Sequence, residues 1–234
     1  MYLTVDLKEA GYRNGMPVLK DIGFAVGPGE LVGLIGPNGA GKSSTVKAIL
    51  GVLPHVDGSV DLKDYAYIPE RPIFYDRLTL WEHIDFLQST LEVDEEEFKL
   101  EAKRLLDLFQ LSQRIHHYPE NFSKGMQQKV MLILAFLKKP DLYIIDEPFM
   151  GLDPSATKKL LQLIEKEKER GAGILMSTHV LDTAEKICDR FVLISNGRLV
   201  VQGKLDEVQE DSGLKEGSLF DCFDVLTERE YDAG

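Results

Sequence analysis

Apolar and polar residues alternate along the first part of the chain, and this period of two predicts β-strands. The alternation covers residues 2–8 and returns over 18–26, and turn-forming residues follow each segment. An unbroken apolar run, Leu31–Ile35, then has the pattern of a buried strand. The sequence therefore predicts an antiparallel β region that leads into a buried strand.

Apolar residues recur at helical spacing through the middle of the chain, after two short β segments at 58–62 and 65–68. Ser123 is a residue type that caps helix N-termini, and it stands just before the last helix of this part. The predicted helices lie at residues 45–50, 78–89, 94–110 and 127–137. The middle third is therefore expected to be helical.

Strands and helices alternate in the second half, as a parallel sheet requires. Pro154 is suited to the first turn of a helix, here Pro154–Arg170, and Asn196-Gly197 predicts a hairpin with a type I′ turn. Beyond Gly203 the pattern predicts short helices at 205–209 and 219–226, then an exposed tail at 228–234. The predicted strands lie at 142–145, 174–177, 191–194 and 199–201.

The composition limits the class of protein. The chain has 234 residues, of which 44% are hydrophobic, as in a globular protein with a sizeable core. No apolar run approaches the roughly 20 residues of a membrane span, and the first residues show no secretory signal, so we expect a cytosolic protein. Cys188 and Cys222 lie far apart, which predicts thiols in a reducing compartment. The net charge of −12 argues against a broad nucleic-acid surface.

A glycine-rich loop directly follows the buried strand. Its sequence, GPNGAGKSS at 36–44, fits the pattern G-x4-G-K-[ST] between a strand and a helix. The glycines let successive N–H groups converge at a helix N-terminus, which is a site for polyphosphate. Lys42 is expected to contact the β- and γ-phosphates, and the Ser43 hydroxyl to ligate Mg²⁺. The candidate nucleotide-binding residues of this loop are Gly36, Pro37, Asn38, Gly39, Ala40, Gly41, Lys42, Ser43 and Ser44.

Polar side chains follow three of the predicted strands directly. Glu70 comes after the strand at 65–68, Asp146 and Glu147 come after 142–145, and His179 comes after 174–177. The carboxyl edge of a parallel sheet is where such folds bind ligands. A single histidine is usually structural, but one on the same edge as a phosphate loop and an acidic pair is better explained as catalytic. Tyr12, in the first turn, is either an ordinary turn tyrosine or a ring that stacks on a purine.

The order of these features resembles that of the ATP-binding cassette (ABC) ATPases. They run from an aromatic turn and the glycine loop through Pro-Glu, Ser-x-Gly and Asp-Glu to the histidine, over about residues 2–203. More narrowly, YIPERPIFYDRLTLWEH, FSKGMQQKVML, YIIDEPFMGLDP and LMSTHVLDTAE resemble the ATP-binding subunit of bacterial Ecs-type ABC exporters. SLFDCFDVLTE is similar to a C-terminal helix of related exporter ATPases, which pair with type-2 membrane subunits.

The resemblance implies an α/β protein with the P-loop NTPase ABC-ATPase fold. This fold has a RecA-like parallel sheet core, an antiparallel β subdomain and an inserted α-helical subdomain, here at about 71–138. Residues 1–203 would form the ABC ATPase domain, and residues 204–234 a C-terminal helical appendage and tail.

The resemblance also implies roles for the site residues. Tyr12 would stack on adenine, and the loop amides with Lys42 would hold the phosphates of ATP. Ser43 and Asp146 would hold Mg²⁺, with Glu70 able to reach a metal-bound water. Catalysis would involve Glu147 as general base, His179 at the γ-phosphate, and Lys42. These roles suit phosphoryl transfer, which needs charge neutralisation and an aligned water.

Part of the site would come from a second copy of the chain. Ser123 and Gly125 match the family signature, which acts across a head-to-tail dimer, and Asp153 matches a loop through which the halves communicate. Two positions depart from the usual pattern. Glu70 stands where many relatives carry Gln, and Lys124 stands where glycine is common; the lysine either attracts phosphate or points to solvent.

Two functions are compatible with the sequence. The first is the ATP-hydrolysing subunit of an exporter, peripheral on the inner face of the cell membrane and bound to an integral membrane permease, as a homodimer. Its docking surface would lie at 71–82, unless those apolar residues belong to the core. The alternative is a soluble ABC ATPase outside transport, acting in cluster assembly or regulation.

Overall fold

All the strands of the computed structural model belong to one mixed sheet. The model describes the backbone of residues 1–232 and the side chains of residues 1–228. The sheet order is β4-β1-β2-β9-β8-β3-β7-β6-β5. The strands are β1 (Leu3–Gly11), β2 (Leu19–Val26), β3 (Leu31–Ile35), β4 (His55–Leu62), β5 (Tyr65–Ile68), β6 (Leu142–Asp146), β7 (Gly173–Thr178), β8 (Arg190–Ser195) and β9 (Arg198–Gly203).

The helices pack on both faces of this sheet. In chain order they are α1 (Lys42–Ile49), α2 (Leu80–Ser89), α3 (Glu95–Leu108), α4 (Lys124–Lys138), α5 (Pro154–Arg170), α6 (Leu181–Ile187), α7 (Leu205–Ser212) and α8 (Leu219–Asp232). Within the described residues, no helix is both long and apolar enough to span a membrane.

Five neighbouring strands, β8-β3-β7-β6-β5, are parallel. Their side chains alternate between two apolar clusters, as the pleat requires. Tyr143 and Ile145 of β6 pack with the helices α2–α5, while Leu142 and Ile144 pack with α1, β1 and β2. Because the strands are parallel, their carboxyl ends share one edge, which carries the polar residues discussed below.

The antiparallel part adjoins this core. β1 pairs antiparallel with both β2 and β4, and β9 pairs antiparallel with β8. Asn196 and Gly197, between β8 and β9, both have positive φ (47° and 75°), which confirms the predicted type I′ turn.

The helices α2–α4 lie between β5 and β6 in the chain, and their apolar faces share one core. Phe98, Leu105 and Leu106 of α3 pack there with Val130 and Ile133 of α4. Each helix has a polar N-cap: Thr79, Asp94 and Ser123 accept a hydrogen bond from the backbone of their first turn.

Two predictions at the C-terminal end need correction. Helix α6 was not predicted, because its seven residues are too short to show a clear helical period. Helix α8 continues past the predicted end at residue 226 and reaches Asp232, so most of the predicted tail is helical. The exposure of residues 229–234 and the backbone of residues 233 and 234 lie outside the described part of the chain.

Candidate nucleotide-binding and hydrolysis site

The glycine loop joins β3 to α1 at the carboxyl edge of the sheet. Gly39 and Gly41 have φ of 85° and 112°, which L-residues rarely adopt. A Cβ on Gly36 would lie 2.2 Å from the Ile194 carbonyl oxygen, whereas a Cβ on Gly39 would meet nothing within 4 Å. The loop is therefore tightly packed beneath Gly36 and open above Gly39, as a cradle for a ligand requires.

Lys42, the first residue of α1, turns back over this loop. Its side chain is 6% exposed, and Nζ donates to the carbonyl oxygens of Gly36 (2.7 Å) and Pro37 (3.2 Å). Nζ also lies 3.9 Å from Glu147 Oε1. Burial lowers the pKa of Lys42 below its usual value, and the negative charges of Glu147, Asp146 and Glu70 offset only part of this shift. The ammonium is thus held in the loop with acidic neighbours.

Asp146 ends β6 and is buried. It lies opposite Ser177 of β7 in the parallel register, and the Ser177 hydroxyl donates to Asp146 Oδ1. The pKa of Asp146 is raised above its usual value, first by burial and also by the charges of Glu147 and Glu70, although the Ser177 hydrogen bond and the Lys42 charge oppose this shift. The serine thus fixes the side chain of Asp146 and offsets part of the effect of burial on its pKa.

Glu147 follows Asp146 in a left-handed conformation, with φ of 48°. Such a φ is uncommon for a residue with a side chain, and it costs about 1–3 kcal/mol where it persists. Its backbone N–H donates to the Ser177 carbonyl at 3.0 Å, which ties the strained residue to β7. The turn separates the two neighbouring carboxylates: Asp146 is held by Ser177, whereas Glu147 reaches His179 and Thr178.

His179 lies just beyond the end of β7 and contacts Glu147 directly. Its Nδ1 is 2.8 Å from Glu147 Oε1, and because a carboxylate only accepts, Nδ1 carries the proton. Thr178 Oγ1 donates to the other carboxylate oxygen at 3.4 Å. The Glu147 side chain is therefore oriented from two sides.

These residues line one cleft with a volume of about 390 Å³. The lining combines the loop, Lys42 and the polar residues at the ends of three strands, as the sequence predicted. The lining residues are Asn38, Gly39, Gly41, Lys42, Ser43, Ser44, Glu70, Glu147, Met150 and His179. Asp146 lies beneath them, next to Lys42 and Ser177.

Tyr12 lies at the side of the cleft, in the connection between β1 and β2. Its hydroxyl is 3.3 Å from Ser44 Oγ, and Lys47 Nζ donates to it at 3.2 Å. The ring is 48% exposed. An exposed ring held beside the cleft can take a flat partner on its free face.

Ser123, Gly125 and Asp153 do not line this cleft. The Ser123 hydroxyl accepts from Met126 N at 3.3 Å, and a Cβ on Gly125 would lie 2.5 Å from the Gly151 carbonyl oxygen. Asp153 caps α5 and pairs with Lys129 of α4 at 2.8 Å, and this hydrogen bond with Lys129 lowers the pKa of Asp153 to about 2. The start of α4 is thus packed against the loop that follows Glu147.

Residues 19–150, more than half of the chain, match the family model described as ABC transporter. The chain belongs to the ABC transporter family. The ABC transporter ATP-binding protein YthP of Bacillus subtilis is 55% identical to it, over 94% of this chain and 94% of YthP. EcsA of Bacillus subtilis, an ABC-type transporter ATP-binding protein, is 42% identical over 99% of this chain and 98% of EcsA.

A solved structure of the ATP-binding subunit of an ABC transporter superposes with a TM-score of 0.92 at 42% identity, covering 97% of this chain and 100% of that one. The predicted family and the P-loop ABC-ATPase fold are thus confirmed, and the chain is an ABC transporter ATP-binding subunit. ATP binding and hydrolysis are the general activity of its family.

The cleft of this ABC subunit fits Mg²⁺-bound ATP. The loop offers backbone N–H groups and a buried ammonium, and the exposed Ser43 lines the cleft. Hydroxyl and carboxylate oxygens with phosphate oxygens are ligands that Mg²⁺ prefers. Because Lys42 stands among the carboxylates of Glu70, Asp146 and Glu147, the site favours a triphosphate that carries a divalent cation over a bare one.

Sequence reasoning missed three residues of this site: Ser177, Lys47 and Met150. Ser177 lies opposite Asp146 only because β6 and β7 are neighbours, which the chain order does not show. Lys47 stands three positions after Ser44 on α1, and that spacing was a usable signal for a shared face. Met150 lines the cleft from an irregular loop that has no periodic pattern.

Proposed function

We propose that this ABC subunit hydrolyses ATP within a head-to-tail dimer and drives a separate membrane-spanning subunit, in the direction of export. The observation that carries the proposal is the position of Glu147. It is held by His179 in the same cleft as the glycine loop and 3.9 Å from Lys42. The direction rests on the sequence resemblance to Ecs-type exporters.

The residues of the site have different roles in the proposed hydrolysis. The loop amides and Lys42 would bind the phosphates, Ser43 and Asp146 would hold Mg²⁺, and Glu70 would act near that ion through water. Bound Mg²⁺ supplies charge neutralisation at the phosphates. Glu147 accepts a proton from the attacking water. His179 donates a hydrogen bond from Nδ1 to Glu147. A neutral imidazole has only one N–H, so a second hydrogen bond from Nε2 to a phosphate oxygen requires the ring to be protonated.

The loss of the Lys42 ammonium tests the phosphate-binding role. Lys42→Met keeps most of the buried volume but removes the charge, so we expect ATP to bind about 10- to 100-fold more weakly. Isothermal titration with Mg²⁺ present measures this change. Lys158→Met, an exposed lysine on α5, is the matched control and should leave ATP affinity unchanged. Wild-type affinity in the Lys42 variant would contradict the role.

The dimer is proposed because the single chain leaves its signature residues away from its own cleft. Ser123 and Gly125 lie at the start of α4, outside the cleft lining, with Ser123 exposed. In a head-to-tail pair these residues would cover the nucleotide bound to the partner. Asp153, fixed by Lys129, would join that surface to the loop after Glu147.

The membrane subunit is expected to contact the surface formed by Ile73, Tyr75 and Phe86. Ile73 is 73% exposed, and Tyr75 packs edge-on against Phe86 with ring centroids 5.3 Å apart. Phe74, by contrast, packs against the core, so the predicted docking segment is partly core. A short apolar surface suits a helix of a partner, and it begins three residues after Glu70, which lines the nucleotide cleft.

His83 fixes the backbone of this surface through two hydrogen bonds. The Tyr75 N–H donates to His83 Nε2 at 3.1 Å, and His83 Nδ1 is 2.8 Å from the Thr79 carbonyl oxygen. Since the carbonyl only accepts and the N–H only donates, the ring is neutral with its proton on Nδ1. The segment before α2 is therefore tied to α2 itself.

A charge at Ile73 tests the docking surface. Ile73→Asp should greatly reduce co-purification with membranes of cells that express this gene together with its genomic neighbours, because a carboxylate would be desolvated in the contact. ATP hydrolysis by the isolated chain should be unchanged. Leu100→Asp is the matched control, since Leu100 is 70% exposed on α3. Equal membrane binding by both variants would contradict the surface, and a wild-type chain that never binds such membranes would favour the ATPase outside transport.

A further inference from the structure

Lys47 is the one cation described in contact with the Tyr12 ring, and neither the phosphate loop nor catalysis accounts for it. It lies in the last turn of α1, exposed, five positions after Lys42. Its Nζ is 3.2 Å from the Tyr12 hydroxyl and 5.4 Å from the ring centroid. The ammonium therefore contacts the hydroxyl end of the ring.

Ser44 and Lys47 are three residues apart, so they share a face of α1. Both reach the same hydroxyl, which lies 3.3 Å from Ser44 Oγ. An ammonium can only donate, so Lys47 uses a lone pair of the phenol oxygen and leaves the Tyr12 proton free for Ser44. The pKa of Tyr12 is lowered, first by the hydrogen bond with Ser44 and then by Lys47, against the effect of burial. The hydrogen bonds and the direction of the pKa shift therefore both point to Ser44 and Lys47 as the partners of the Tyr12 hydroxyl.

We propose that Lys47 is a positioning residue for the base of the nucleotide, holding the Tyr12 ring against α1 so that its free face is ready to stack. This inference rests on the proposed function, in which Tyr12 contacts the base. Lys47 acts through Tyr12 and does not itself contact the phosphates.

The loop that carries Tyr12 explains why such a residue is needed. Tyr12 belongs to the connection between β1 and β2, and nearly half of its surface is exposed. An exposed ring on a loop loses side-chain freedom when it stacks, and that loss weakens binding. Two hydrogen bonds to a helix remove much of this freedom before the nucleotide arrives. The helix is the one that begins at the phosphate loop, so base platform and phosphate cradle share one rigid element.

The inference predicts a base-dependent loss of affinity. In the full chain with Mg²⁺ present, Lys47→Ala should bind ATP about three- to tenfold more weakly, as expected for the loss of preorganisation. The same variant should bind inorganic tripolyphosphate, which has no base, as the wild type does. Lys47→Arg should recover most of the ATP affinity. Lys158→Ala, which removes an exposed lysine on α5, controls for the change in net charge.

A double-mutant cycle separates positioning from general structural damage. Tyr12→Phe removes the hydroxyl but keeps the ring, so Lys47→Ala should cause little further loss of ATP affinity in that background. Full additivity would overturn the inference, as would an unchanged ATP affinity in Lys47→Ala. Equal losses for ATP and tripolyphosphate would also overturn it, because they indicate plain charge attraction. If the wild type binds neither ligand, the proposed function itself fails; in the other cases it stands and only the role of Lys47 falls.

Discussion

The Glu147→Gln variant should bind ATP at least as tightly as the wild type and hydrolyse it about 10²- to 10⁴-fold more slowly. Glutamine keeps the size of the side chain. Its carbonyl oxygen can still accept the hydrogen bond that His179 Nδ1 donates to Glu147 Oε1 at 2.8 Å in the wild type. It cannot take a proton from water. It also removes a negative charge 3.9 Å from Lys42, which favours the bound triphosphate. Single-turnover hydrolysis and nucleotide titration measure the two effects separately.

Glu70→Gln is the matched control for this change. Glu70 is another carboxylate that lines the same cleft. It has no described hydrogen bond to His179, so its loss should lower turnover far less than the loss of Glu147. Unchanged single-turnover hydrolysis in Glu147→Gln would remove Glu147 from the role of base. A larger defect in Glu70→Gln would move that role to the other carboxylate.

Residues next to a strand end could be predicted from the sequence because their signal is local. The loop at 36–44, the pair Asp146-Glu147, and His179 each follow an apolar run directly, and all meet at one edge of the parallel strands. Such a run shows where the strand ends. Parallel pairing then places the carboxyl ends of all the strands at the same edge of the sheet, in any strand order. In the structure the loop, Glu147 and His179 line a single cleft, with Asp146 beneath it.

Contacts that depend on strand order or backbone strain could not be predicted in this way. The pairing of Asp146 with Ser177 needs β6 and β7 to be neighbours in register. The left-handed turn at Glu147, which separates the directions of two adjacent carboxylates, leaves no mark in the residue types. The sequence allowed two interpretations of Tyr12, an ordinary turn residue or a stacking ring. Only the contacts with Ser44 and Lys47 place the ring beside the cleft.

The Gly125–Gly151 contact connects the loop after Glu147 to the surface that would cover the partner's nucleotide in the proposed dimer. The Gly151 carbonyl oxygen is so close that any Cβ at position 125 would lie 2.5 Å from it. Gly151 belongs to the loop that follows Glu147, and Gly125 belongs to the first turn of α4. In the proposed dimer, a shift at Glu147 would therefore move the surface that covers the other nucleotide, because packed backbones cannot slide freely.

Ser123→Arg should reduce ATP hydrolysis by at least about 10²-fold while leaving ATP binding to the single chain unchanged, because Ser123 lies outside the chain's own cleft. The change also removes the N-cap that accepts Met126 N, so Asp94→Arg, which removes the cap of α3, is the matched control and should keep activity.

Mixing two inactive variants tests the shared site directly. A dimer of one Ser123→Arg chain and one Glu147→Gln chain would contain one damaged site, in which the two substitutions face each other, and one intact site, in which Glu147 of the first chain faces Ser123 of the second. Hydrolysis should therefore return in the equimolar mixture, towards about a quarter of wild-type turnover if chains exchange at random and each site acts alone. If Ser123 and Glu147 instead served the same chain's nucleotide, each chain in the mixture would keep its defect. A mixture as inactive as its components would thus contradict the head-to-tail arrangement.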